Sequence, residues 1–112
     1  MSKYESMSDF EINKLVAEAR GYKTSAQPVN CVGVRCNNSV TKSYCNSWAD
    51  MGPIISEHKI NLNYEGGFRY EWETMHFKHL DNYDVECIGM IEHKNPLRAA
   101  AITFLIMMEG AQ

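Results

Sequence analysis

No segment of this 112-residue sequence is apolar for long enough to cross a bilayer. The longest apolar stretch, Ala99 to Met108, is interrupted by Thr103 and falls short of the ~20 residues that a spanning helix needs. The opening, Met1 to Phe10, is polar and holds no apolar centre of a signal peptide, which predicts a protein of the cell interior. No basic run occurs, and the net charge is −3. Sequence-independent nucleic-acid binding needs several cations aimed at phosphates, so that class is disfavoured. No repeat, linker or low-complexity tract divides the chain. One domain over residues 1–112 is expected.

Metal-binding spacing is missing too. The four cysteines are Cys31, Cys36, Cys45 and Cys87, and Cys31 and Cys36 have no matching second pair. The histidines His58, His76, His79 and His93 are scattered. No metal or cofactor site is expected, and in a cell interior the thiols should be free and mostly buried. No phosphate loop is present, because Gly66-Gly67 lies between strand-like segments and not before a helix.

What the chain does have is ample core material, with hydrophobic residues at 45% and six Tyr, four Phe and two Trp. The spacing predicts a first helix opened by Ser8-Asp9-Phe10-Glu11 as a capping box, with Met7 and Ile12 as a hydrophobic staple. Ile12, Leu15, Val16 and Ala19 form its apolar stripe, and Gly21 ends it. Val32, Val34 and Cys36 alternate, Asn37-Asn38 suits a tight turn, and a return strand follows over roughly Ser39 to Tyr44. Asn46 or Ser47 can cap a second helix with Asp50 in its first turn. That helix either kinks at Pro53 or breaks at Gly52, and ends near His58.

Lys59 to Glu65 then alternates, with Ile60, Leu62 and Tyr64 on one face. Gly66-Gly67 signals a hairpin whose partner strand puts Phe68, Tyr70 and Trp72 on one face and Arg69, Glu71 and Glu73 on the other. A loop around His79 to Asn82 leads to a fifth strand over roughly Val85 to Glu92. Asn95 caps the last helix and Pro96 takes its first position. Leu97, Ala100, Ala101, Phe104, Leu105 and Met108 make its apolar face, and Gly110 stops it. The fold class is therefore α+β, a largely antiparallel sheet with helices packed on it, in the order α-β-β-α-β-β-β-α.

Three blocks carry a family resemblance. They are Ser8-Asp9-Phe10-Glu11-Ile12-Asn13-Lys14-Leu15-Val16-Ala17, then Tyr44-Cys45-Asn46 with Ala49-Asp50 and Pro53-Ile54-Ile55, and finally Asn95-Pro96-Leu97-Arg98-Ala99-Ala100 running on to Phe104-Leu105-Ile106-Met107-Met108. In order and spacing the chain resembles the phage NinX family, with Gly66 to Val85 least covered. The layout also resembles, more weakly, the phage ABA-sandwich domain, which implies helices layered on the sheet. The chain departs from the NinX pattern at Ser43, where the family has an acidic residue, and at Ser47-Trp48, where it has Asn-Pro. Met51-Gly52 replaces an alanine-aromatic pair, so the aromatic is displaced by one helical turn from position 52 to Trp48. The resemblance implies a phage accessory protein acting in the host cytoplasm, and it brings no catalytic residues.

Cys45 precedes a helix start, which would lower a thiol pKa, but no base or glycine-rich elbow accompanies it, so a buried cysteine is the preferred reading. Glu71 and Glu73 share a face that alternation makes solvated, so they read as surface charges. Aromatics interleaved with Arg69 and Lys78 could stack bases, but a half-buried sheet gives the same pattern. No catalytic constellation is expected.

The candidate binding residues are Tyr44, Asn46, Trp48 and Asp50 at one helix end, with Arg98 in the first turn of the last helix. An aromatic, an arginine and free helix amides together suit an anionic, nucleotide-like ligand. Two functions follow: non-catalytic binding to a host or phage protein, or sequestration of a nucleotide-like signal used in host defence. Self-association is left open.

Overall fold

The computed structural model describes residues 3–28, 33–37, 40–65, 71–79 and 85–110. A 3-10 turn, Lys3–Ser6, leads into helix α1, Asp9–Ala19. Strands β1, Val34–Cys36, and β2, Val40–Lys42, follow. Helix α2 is Trp48–Glu57. Strands β3, Asn61–Glu65, β4, Glu71–His79, and β5, Val85–His93, precede helix α3, Pro96–Gly110. The α+β class and the element order are those expected from the sequence. The strands, however, form two antiparallel sheets among the described residues: a β1-β2 pair and a separate β3-β4-β5 sheet. The Asn38, Gly66-Gly67 and Leu80 to Asn82 turns, and the outlook of Phe68, Arg69 and Tyr70, lie outside the described residues.

Local chemistry accounts for the helix ends. The Ser8 hydroxyl accepts from the Glu11 amide at 3.1 Å while the Glu11 carboxylate reaches back to the Ser8 amide, a complete capping box. At the other end Gly21 takes a φ of +92°. Its amide donates to the Glu18 carbonyl and the Tyr22 amide to the Ala17 carbonyl, which closes a Schellman motif. Helix α2 closes in the same manner, with the Ile60 amide on the Ile55 carbonyl, but its left-handed residue is Lys59 at φ +55°. Ser47, not Asn46, caps α2 by accepting from the Asp50 amide. Gly52 does not break the helix, and Pro53 sits within it on an exposed position.

The stripe of α1 differs from the expected one. Ile12, Asn13, Val16 and Ala17 are buried, while Ala19 is exposed. The buried face is thus centred between two adjacent helical rows and includes a polar residue. Helix α3 is buried at every position from Leu97 to Leu105. It packs on β4 and β5 and also on α1 and α2, so it needs apolar or small residues all round. Ala99, Ala100 and Ala101, each fully buried, keep it narrow there. A side-chain hydroxyl pair between helix and sheet, Thr74 with Thr103 at 2.8 Å, is itself buried and satisfied.

In β5 the pairing slips: Thr74 faces Ile91 but His76 faces Ile88, so β5 carries one extra residue. The slip resets the alternation. Met90 and Cys87, at odd spacing, are both exposed, while Ile91 is buried. No helix among the described residues is long and apolar enough to cross a membrane.

Lys59 pays the steric cost of a left-handed backbone that glycine would not. Lys59→Gly is expected to raise stability by about 0.5–1 kcal/mol in urea unfolding, the relieved strain exceeding the added chain entropy. A lower midpoint would show that the Lys59 side chain contributes contacts that outweigh its strain.

Candidate functional site

The segment Ser43 to Ser47 joins β2 to α2 and is where the three blocks converge. Cys45 is fully buried, so its backbone polar groups need partners. Its N–H donates to Asn13 Oδ1 of α1 at 2.8 Å. Its carbonyl accepts from Asn95 Nδ2, just before α3, at 2.7 Å. Asn13 is itself fully buried, and its Nδ2 reaches Ser43 Oγ at 3.4 Å. Asn95 performs two tasks, since its Oδ1 also caps α3 by accepting from the Leu97 amide at 2.9 Å. One residue from each block therefore holds the same link.

The expected binding residues divide. Tyr44 is buried at 3% exposure, and burial pushes its phenol above the ordinary range. Asp50 Oδ2 accepts from the Ser43 amide at 2.8 Å, and Oδ1 lies 3.7 Å from Lys42 Nζ. Asn46 is exposed and turns back to Ser43, with its Nδ2 at 3.3 Å from Ser43 Oγ. Trp48 opens α2 and is 56% exposed.

Arg98 is buried and faces the N-terminal segment. Its Nη1 donates to Asp9 Oδ1 at 2.6 Å, and its Nη2 donates to the Met7 carbonyl at 2.7 Å and the Glu5 carbonyl at 3.3 Å. A buried cation needs such pairing, and here the guanidinium terminates the 3-10 turn and anchors the start of α1 to α3.

A cleft of about 100 Å³ does exist at this end of the molecule. It lies between the end of α1, β2 and α2, and Arg20, Tyr22, Lys42, Tyr44, Asp50 and Pro53 are among its lining residues. Tyr44 and Asp50 meet there, while Asn46, Trp48 and Arg98 are not part of its lining. Arg20 and Lys42 come to it from segments that the motif blocks do not include. Arg20 could be recognised from sequence only as the last residue before Gly21, and Lys42 only as the end of a short strand.

The Cys45 thiol is not poised for nucleophilic attack. Burial first, and then the Asp9 charge, push it up to about 12, against a smaller opposing effect of Arg98. Cys36 is also raised by burial. Among the described residues no group of three or more His, Cys, Asp or Glu is placed to hold a metal ion.

Loss of either asparagine strands a buried backbone group. Asn13→Ala and Asn95→Ala are each expected to cost about 2–4 kcal/mol in chemical unfolding. Because both hold Cys45, the double variant should deviate from the sum by more than about 0.5 kcal/mol. Strict additivity would show that the two bonds act independently.

The thiols supply a second check. Native alkylation at pH 8 should label Cys87 and spare Cys36 and Cys45 until the chain unfolds. The sign for pH follows from Cys45: an acid held protonated in the fold and free to ionise when unfolded loses stability as pH rises from about 9 towards 12. Cys45→Ala should flatten that alkaline slope, and an unchanged slope would assign it to other groups.

No curated protein matches the chain. The family described as Bacteriophage P22, NinX matches residues 3–108, which takes in all three blocks, α1 and α2 entire, and α3 as far as Met108. The chain belongs to the phage P22 NinX family.

Proposed function

We propose that this chain is a phage accessory protein that acts inside the bacterial host without catalysis, by binding a host or phage protein. The observation that carries this reading is Trp48, an indole 56% exposed on the first residue of α2. It stands one residue beyond a cap and three beyond the Cys45 link, so a rigid scaffold presents it. Tryptophan on a preorganised element is the residue type that most often anchors a protein interface. The neighbouring position on the same helical face, Gly52, has open space where a side chain would begin, with no atom within 4 Å of a built Cβ.

The polar groups that could have served chemistry at the junction are spent on the fold. Asn13, Asn95, Asp50 and Arg98 all bind backbone or pair within the core. The reading in which a whole nucleotide is sequestered has less support, since drug-sized ligands occupy clefts of about 300–1,000 Å³.

The test is affinity capture from phage-infected host cells, with the retained proteins identified and compared between wild type and Trp48→Ala. Trp48→Ala should weaken retention of one defined protein by at least about tenfold while the melting temperature stays within about 2 °C. Equal retention by the variant would remove Trp48 from the interface. A co-purifying small mass, with no retained protein, would transfer support to the ligand reading.

A further inference from the structure

Tyr44 brings to the cleft a hydroxyl that no described residue binds. Its ring is 3% exposed, yet its hydroxyl makes no hydrogen bond to any described residue. The side chain lines the cleft between α1, β2 and α2, so its hydroxyl is open to whatever enters there.

Two cations border the same space. The side chains of Arg20 and Lys42 are only 30% and 28% exposed, which reduces their screening by solvent. The Lys42 ammonium has three donors and only a loose 3.7 Å contact with Asp50. Arg20 binds Glu57 through one nitrogen at 2.9 Å, and the Glu57 side chain is 57% exposed and free to turn into water. Such exposed pairs contribute little and are readily exchanged. Asp50, the carboxylate of the cleft, already accepts the Ser43 amide through one oxygen. Tyr22 adds a second phenol to the lining. Donors thus outnumber free acceptors around the cleft.

We propose that this cleft is a binding site for one phosphate-sized oxyanion, held by the Lys42 ammonium, the Arg20 guanidinium and the Tyr44 hydroxyl. The donors approach from three different elements, which suits a tetrahedral group with several acceptor oxygens better than a planar one. A volume of about 100 Å³ admits the phosphate group and leaves a nucleoside outside. The Arg20 charge already acts on the Tyr44 phenol, opposing the effect of burial, as expected for groups that face one space. The site is distinct from the Trp48 surface and does not depend on a protein partner there.

The probe is inorganic phosphate, titrated into the intact chain at constant ionic strength and followed by amide chemical shifts, with chloride as the control. Saturable shifts should appear at Arg20 to Tyr22, Lys42 to Tyr44 and Ala49 to Ile54. Lys42→Gln and Tyr44→Phe should each weaken binding by about tenfold.

A nucleoside monophosphate is the second probe. Equal affinity for both would identify the phosphate group alone as the ligand. Tighter binding of the nucleotide would identify a phosphomonoester whose remainder lies on the adjoining surface. In both cases the two variants must weaken binding. Absence of saturation, an equal response to chloride, or unchanged binding in both variants would overturn the proposal. If Lys42→Gln lowers the melting temperature, Tyr44→Phe decides alone, because it removes one oxygen and no packing volume.

Discussion

A residue that leaves water entirely must have both its backbone N–H and its C=O satisfied, and Cys45 is such a residue outside any helix or strand ladder. The rest of the structure is arranged around meeting that demand. One partner comes from the buried face of α1 and the other from the cap of α3, elements separated by most of the chain. Either bond alone would leave a group orphaned in the interior, at a cost of about 1–3 kcal/mol. The demand therefore fixes where α1 and α3 stand relative to the β2-α2 junction, in a way that apolar contact, being non-directional, does not.

Arg98 imposes a second, independent constraint on the same pair of helices. A guanidinium taken into the interior is tolerated only when its donors are matched, and the chain supplies one carboxylate and a fan of carbonyls from Tyr4 to Met7. The N-terminal segment is thereby closed against α3. Tyr4 extends the closure to the far end of that helix through its bond with Glu109, which also receives Lys3 at 2.8 Å. The first and last blocks of the family pattern are thus bound to one another directly, and the central block is bound to both.

This explains what was legible in the sequence. Caps are local, so Ser8 with Glu11, Gly21, and Asn95 with Pro96 could be assigned from residues three or four apart. The burial of Asn13 could not, because its partner is 32 positions away and a polar residue on a helix is ordinarily placed on the wet side. Arg98 was misleading for the same reason. A cation in the first turn of a helix suggests a ligand, whereas its real partners lie about ninety residues earlier. The extra residue in β5 hides because alternation is a rule for regular strands, and the sequence Ile88-Gly89-Met90-Ile91 reads equally well in either phase. The cleft was half legible: Tyr44 and Asp50 belong to the central block, but the cations that flank them come from turn and strand ends with no pattern of their own.

The same accounting bears on function. If the residues that make the family recognisable serve mainly to close the fold, then what distinguishes one member's activity must reside in groups the fold does not use. Trp48 and the Tyr44 hydroxyl are two such groups, one on the first residue of α2 and the other in the segment that leads into it. Positions 48 and 52 share a helical face about 6 Å apart along the axis. The resemblance read from the sequence implies an aromatic at position 52, where Gly52 leaves open space, and this chain carries Trp48 instead. Moving an aromatic by one turn preserves the face and shifts the point of contact. On the proposed reading that would be a change of register against a partner and not the loss of a surface, because the scaffold beneath it, tied through Ser43, Cys45 and Asp50, holds α2 in place.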